Sequence, residues 1–135
     1  PENDALLPLR PGPRTDWFDP ESWHTLFDTR WRVSPRSDRT GVRLESASVS
    51  HGFSDSASGA APTLTRRIPG ELPSEGMIAG AIQVSPDGQP TILATDHPVT
   101  GGYPVIAVVT DAALDSLAQL RPGATVRFIL ATGHA

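Results

Sequence analysis

The sequence predicts a mainly β protein, a closed β-barrel with two short helices. Three observations carry that expectation. Runs of strand length with period-two apolar alternation recur along the chain, separated by clusters of Gly, Pro, Asp and Ser. One run, "YPVIAVVT" at 103–110, is apolar on both faces, as a strand buried from both sides must be. Only two segments carry helical spacing, and both are short. Seven or so strands and two helices in 135 residues suit a barrel closed at its ends by the helices.

Residues 1–15 hold four prolines and no periodicity. They read as an extended lead-in or linker, with room for a short strand near Leu6 to Leu9. "DPESWHTLFD" then reads as a helix: Asp19 suits the cap, Pro20 the first helical position, and Glu21 the positive end of the dipole. Trp23, Leu26 and Phe27 share one face. "RWRVSP" alternates Trp31 and Val33 against Arg30 and Arg32, as a half-buried strand does. A turn at Ser37–Asp38 leads to a second strand, with Val42 and Leu44 on one face and Arg43 and Glu45 on the other. The Ser-, Ala- and Gly-rich stretch at about 47–70 reads as a flexible surface loop, with a short strand near Thr63 to Arg66.

"GMIAGAIQVSP", a "DG" turn at 87–88 and "PTILAT" form a hairpin. After "HPVTGG", Pro104 must stand at the start of the apolar strand or face an unpaired edge. "DAALDSLAQL" is the second helix, capped by Thr110 or Asp111 and stopped by "RPG". Leu114, Leu117, Ala118 and Leu120 form its apolar face. "TVRFILA" is the final strand. Residues 16–135 make one domain on this reading.

Composition removes whole classes of chemistry. The chain has no cysteine, so disulfides, thiolate metal sites and cysteine nucleophiles are excluded. All 11 basic residues are arginine, so neither a Schiff-base lysine nor a phosphate-loop lysine exists within it. A net charge of −4 gives nucleic acid and anionic membranes nothing to bind. No run reaches transmembrane length, and the start lacks the apolar core of a signal peptide. The expected location is cytoplasmic. His24, His51, His97 and His134 are scattered without metal-ligand spacing, and no G-x-S-x-G elbow is present. Asp96 and His97 are neighbours, which alternation points apart.

Three places hold candidate binding groups. If 77–84 is one strand, Gln83 shares a face with Met77, Ala79 and Ala81, so its amide has room beside it. An amide offers an acceptor and two donors and suits a ligand that is itself an amide, lactam or urea. The alternative is that Gln83 satisfies backbone groups at a barrel end. "SDR" at 37–39 sets a carboxylate beside a guanidinium. Arg39 suits a carboxylate or bicarbonate, or Asp38 holds Arg39 or Arg43 in a structural pair. "TGG" at 100–102 offers N–H groups to an anion, or is a turn that needs positive φ.

The segments "GPRTDWF", "WRVSPRSDRTGVRLES", "LPSEGMIAGAIQVSPDGQPTILATDHPVTGGYPVIAVV" and "LAQLRPGATVRF" occur in this order. Together they resemble the C-terminal half of the family of the 5-oxoprolinase C subunit, also called KipA or allophanate hydrolase subunit 2, among biotin-dependent carboxyltransferase domains. The resemblance runs from Pro11 to Phe128. It implies a cyclophilin-like barrel, a missing N-terminal half, and a chain inactive alone. Its motif falls on Ser37, Asp38, Arg39, Gly41, Arg43, Gln83, Asp87, Gly88, Thr100, Gly101, Gly102 and Tyr103. Thr40 and Ser85 depart from it, which bears on local turn shape.

The activity the resemblance implies first is ATP-dependent opening of the lactam 5-oxoproline to glutamate, with the A-type and the KipI-like B-type 5-oxoprolinase subunits as partners. ATP would then bind in the complex rather than in this chain alone. The alternatives are a urea-type carboxyltransferase that uses biotin, and a regulator that antagonises an inhibitor of a sensor kinase. The candidate substrate-binding residues on this reading are Asp38, Arg39, Arg43, Gln83, Thr100, Gly101, Gly102 and Tyr103.

Overall fold

A computed structural model describes residues 4–12, 14–47, 64–65, 75–76, 78–85, 88–94, 96, 100–101 and 103–131. Among them are nine strands. These are β1 (Ala5–Pro11), β2 (Trp31–Val33), β3 (Gly41–Ser46), β4 (Glu75–Gly76), β5 (Ala81–Val84), β6 (Pro90–Leu93), β7 (Thr100–Gly101), β8 (Val105–Val109) and β9 (Thr125–Leu130). Two helices accompany them, α1 (Pro20–Asp28) and α2 (Leu114–Ala118).

Seven strands close into a barrel in the order β1-β8-β5-β6-β3-β2-β9, and β4 pairs with β7 apart from it. Closure comes from a parallel pairing of β1 with β9, in register from Ala5 against Val126 to Leu9 against Leu130. The expected closed barrel with two short helices is therefore what the chain forms.

Alternation fills the barrel. Leu7 and Leu9 of β1, Trp31 and Val33 of β2, Val42 and Leu44 of β3, Ile82 and Val84 of β5, Ile92 of β6, and Val126 and Phe128 of β9 belong to one buried cluster. Helix α1 closes one side with Leu26, and the Trp31 Nε1–H donates to the Leu26 carbonyl at 3.1 Å, satisfying the polar atom of a fully buried indole. On β8 the alternation breaks. Ile82 pairs with Ala107 but Gln83 pairs with Val105, so Ile106 is an inserted residue. The bulge turns Ile106, Ala107 and Val109 to the core while Val105 and Val108 face outward, against Ala81 and Leu93.

Several local expectations need correction. The short strand expected near Leu6 to Leu9 is present and longer than expected: β1 runs from Ala5 to Pro11 and pairs on both edges, with Leu7 and Leu9 in the core, so this part of 1–15 belongs to the barrel rather than to a lead-in. The stretch 77–84 is not one strand. Residues 78–80 form a turn, and Gly80 at φ +92° admits the chain into β5 only at Ala81. Met77 lies outside the described residues. Asp19 and Thr110 occupy cap positions but neither side chain caps. The second helix begins as a 3-10 turn over Asp111–Ala113 and is α-helical only from Leu114 to Ala118. Of the proposed loop at 47–70, Ala47, Leu64 and Thr65 are described. Leu64 is buried in the core, and the Thr65 carbonyl accepts from Asp19 N–H at 3.1 Å, in no strand. Thr63, Arg66 and the rest of that loop lie outside the described residues.

Candidate functional site

The candidate residues fall into three separate places. Arg43, Gln83 and the unforeseen Thr91 come together. In β3, Arg43 is opposite Thr91 of β6, and Thr91 is in turn opposite Gln83 of β5. All three face outward, because their strand neighbours Val42, Leu44, Ile82, Val84 and Ile92 point into the core. The row continues to Val105 of β8, the partner of Gln83 across the bulge. Adjacent strands lie about 4.8 Å apart, so the backbones of Arg43 and Gln83 stand about 10 Å apart with Thr91 between.

Gln83 and Thr91 are half-buried and Arg43 is exposed. Among the described residues, none of their side chains has a hydrogen bond or an ion pair. Among the described residues, the Gln83 amide reaches no backbone group. Beside this row lies a small apolar cluster of Ala81, Leu93 and Val105, each at most 4% exposed, with Val108 packed on it. A half-buried amide beside apolar surface has less competition from water than one on an open surface. Tyr103, two residues before Val105, is 45% exposed.

Asp38 and Arg39 are elsewhere, at the end of the barrel. Asp38 shapes the turn into β3. Its Oδ1 accepts from Thr40 N–H at 3.0 Å, from Thr40 Oγ1–H at 2.6 Å and from Gly41 N–H at 3.3 Å. The Thr40 hydroxyl and N–H bonds, then the Gly41 bond and the Arg43 charge, hold its carboxyl below the ordinary value. Among the described residues, Asp38 pairs directly with neither Arg39 nor Arg43. Arg39 instead meets Asp96, Nε to Oδ2 at 3.5 Å, while its carbonyl accepts from Asp96 N–H at 3.0 Å. Its side chain is 87% exposed. These residues rim a groove of about 460 Å³ whose floor is Val33, Val42, Leu117 and Leu120.

The third place is β7. Thr100 and Gly101 pair with Gly76 and Glu75, so this part of "TGG" serves a two-stranded ladder. Gly102, Asp87 and His97 lie outside the described residues. Gly88 does what the hairpin requires, at φ +83° with its N–H donating to the Ser85 carbonyl at 2.9 Å. No group of three metal-binding side chains occurs among the described residues. No helix among them is long and apolar enough to cross a membrane.

Two positions of the site are not evident from sequence. Thr91 carries no motif, yet the hairpin register places it opposite Gln83. Asp96 stands out in the sequence only as a neighbour of His97, not as the partner of Arg39. The signal for Thr91 lies in the turn: once Ser85–Gly88 is the reversal, counting back along both strands brings 83 and 91 together.

The described residues thus form a seven-stranded barrel with a polar row on its outer wall. The chain belongs to the carboxyltransferase domain family: the family of carboxyltransferase domain, subdomain A and B, matches residues 1–130. It is 35% identical over 130 residues to the C subunit of 5-oxoprolinase from Haemophilus influenzae, covering 92% of this chain and 37% of that protein. It is 33% identical over 115 residues to urea amidolyase of Saccharomyces cerevisiae, covering 84% of this chain and 6% of that one. The crystal structure of the K. lactis urea amidolyase superposes with a TM-score of 0.78 at 26% identity, over 98% of this chain and 8% of that one. The chain therefore spans little more than a third of the length of the Haemophilus protein, and far less of the amidolyases.

Proposed function

We propose that this barrel supplies part of the substrate face of an ATP-dependent 5-oxoprolinase, acting with further domains and subunits. The observation that carries the reading is the Gln83 amide, without a hydrogen bond among the described residues, half-buried beside apolar surface and in one row with Thr91 and Arg43. A planar N–C=O group laid against this wall can both donate to and accept from the Gln83 amide. The likeness to the 5-oxoprolinase C subunit adds to that chemistry.

In the reaction, one water opens the lactam: the ring C–N bond breaks, the carbon gains oxygen and the nitrogen gains hydrogen, giving glutamate. A second water is consumed as ATP becomes ADP and phosphate. This chain's part is to bind and orient the amide. The chain has no lysine for a phosphate loop, and Arg39 already faces Asp96. ATP chemistry therefore belongs to the partners on this reading.

The test is glutamate formation from 5-oxoproline and ATP by the assembled parent protein with its partner subunits. Glutamate that depends on this barrel supports the reading. No glutamate from a folded, associated assembly overturns it. The likeness to urea amidolyase favours a second reading, carboxyl transfer to urea, since urea presents the same planar unit to Gln83. Biotin would then be the carboxyl carrier, and carboxylation of urea would replace glutamate as the product observed.

A further inference from the structure

The sequence offers two arginines, Arg39 and Arg43, for a substrate carboxylate. Their surroundings differ in kind. The Arg39 guanidinium is already beside Asp96, and it sits on the rim of the end groove with Asp38. Arg43 lies in the Gln83 row. Its outward neighbour on β3, Glu45, is opposite Arg32 in the register, so the nearest acidic group on its own strand faces another cation. Across to β6 Arg43 meets the neutral Thr91; its charge acts on the Asp38 carboxylate, but not at ion-pair distance, and Asp38 accepts its hydrogen bonds from Thr40 and Gly41 instead.

The row thus runs cation, hydroxyl, amide, with about 10 Å of backbone separation between its ends. Arg and Gln are both long, and their side chains can converge above the short Thr91. A lactam bearing a carboxylate on the carbon next to its ring nitrogen presents an anion and an N–C=O group a few bonds apart. That is the pattern such a row reads. Urea, or a lactam without a carboxylate, uses only the Gln83 end.

We infer that Arg43 is the specificity-determining residue of this face, selecting amides that carry a carboxylate over neutral ones, and that Arg39 has no part in that selection. The inference rests on the lactam reading above and adds to it which charge is read and by which residue. A charge-assisted, bidentate contact of guanidinium with carboxylate is stronger and more directional than a neutral one. Lysine cannot reproduce its geometry.

The experiment is steady-state kinetics of the assembled enzyme with 5-oxoproline, alongside competition by the neutral lactam 2-pyrrolidone. Four forms are compared: wild type, Arg43→Ala, Arg43→Lys and Arg39→Ala. The expected result is a KM for 5-oxoproline raised about tenfold or more in Arg43→Ala with kcat much less affected. Inhibition by 2-pyrrolidone stays unchanged, and Arg39→Ala keeps the wild-type KM. Arg43→Lys recovers only part of the loss. An unchanged KM in Arg43→Ala, or equal weakening of both lactams, overturns the inference while leaving the 5-oxoprolinase reading standing. Wild-type enzyme that makes no glutamate overturns that reading itself. Melting temperatures of the four forms separate a binding loss from unfolding.

Discussion

Gln83 and Arg43 are register partners of the same residue, Thr91, one from each flanking strand. They are 40 positions apart in sequence, and only the order β5-β6-β3 in the barrel brings them onto one wall. Among the described residues neither side chain has a hydrogen bond or an ion pair, although the Arg43 charge acts on Asp38 from a distance; the polar groups of Asp38 and Arg39 serve a turn and a surface pair.

Gly41 keeps that wall in shape. A Cβ at Gly41 would stand 2.8 Å from Thr91 Cγ2, closer than atoms tolerate. Gly41→Ala is expected to push the Thr91 side chain aside and to cost about 1–3 kcal/mol of stability, as overpacking does. Chemical denaturation measures the cost, and the KM for 5-oxoproline in the assembled enzyme reports the disturbed row. A variant as stable as wild type with an unaltered KM contradicts this.

Gly12 meets backbone instead. A Cβ there would lie 2.7 Å from the Val105 carbonyl oxygen and 2.9 Å from the Ala107 nitrogen. Gly12 N–H also donates to the Ile106 carbonyl at 3.0 Å, at the bulge. Backbone cannot swing away as Thr91 can, so Gly12→Ala is expected to cost more than Gly41→Ala, about 3 kcal/mol or above. Denaturation of both variants side by side checks the order, and the reverse order would refute it.

Asp4 latches the seam where β1 meets β9 and β2. Its Oδ1 accepts from Thr125 Oγ1–H at 2.5 Å and from Arg30 Nε–H at 2.9 Å. The Thr125 bond first, and then Arg30, hold its carboxyl below the ordinary value. A carboxyl lowered by folding stabilises the protein above its unfolded pKa, and that contribution is lost as pH falls through the folded one. The melting-temperature gap between wild type and Asp4→Asn is therefore expected at pH 7 and should close below about pH 4. A gap that stays constant or widens on acidification contradicts the latch.

Sequence pattern makes the barrel legible because alternation, not propensity, decides which faces fill its interior. Trp31, Val33, Val42 and Leu44 can be assigned inward by counting alone, and they are. The pattern fails where one residue changes the count. Gly80 starts β5 later than the apolar run suggests, and the bulge at Ile106 turns two successive residues inward. Four prolines near the start let only a short strand be read near Leu6 to Leu9, whereas β1 runs from Ala5 to Pro11 and pairs with β9 near the other end of the chain.

For the site, residue types are legible and grouping is not. Asp38, Arg39 and Arg43 are close in sequence, yet the turn sends the first two to the barrel end and alternation sends the third to the outer wall. Thr91 can be found only through register, which depends on the turn that joins β5 to β6.

The measurement that bears most directly on the outer wall as a substrate face is turnover of 5-oxoproline by the assembled enzyme carrying Gln83→Ala. Loss of the amide leaves the substrate's N–C=O group without its partner, at about 1–3 kcal/mol. The account predicts kcat/KM lower by about tenfold or more, with an unchanged melting temperature. Wild-type turnover in that variant would contradict it.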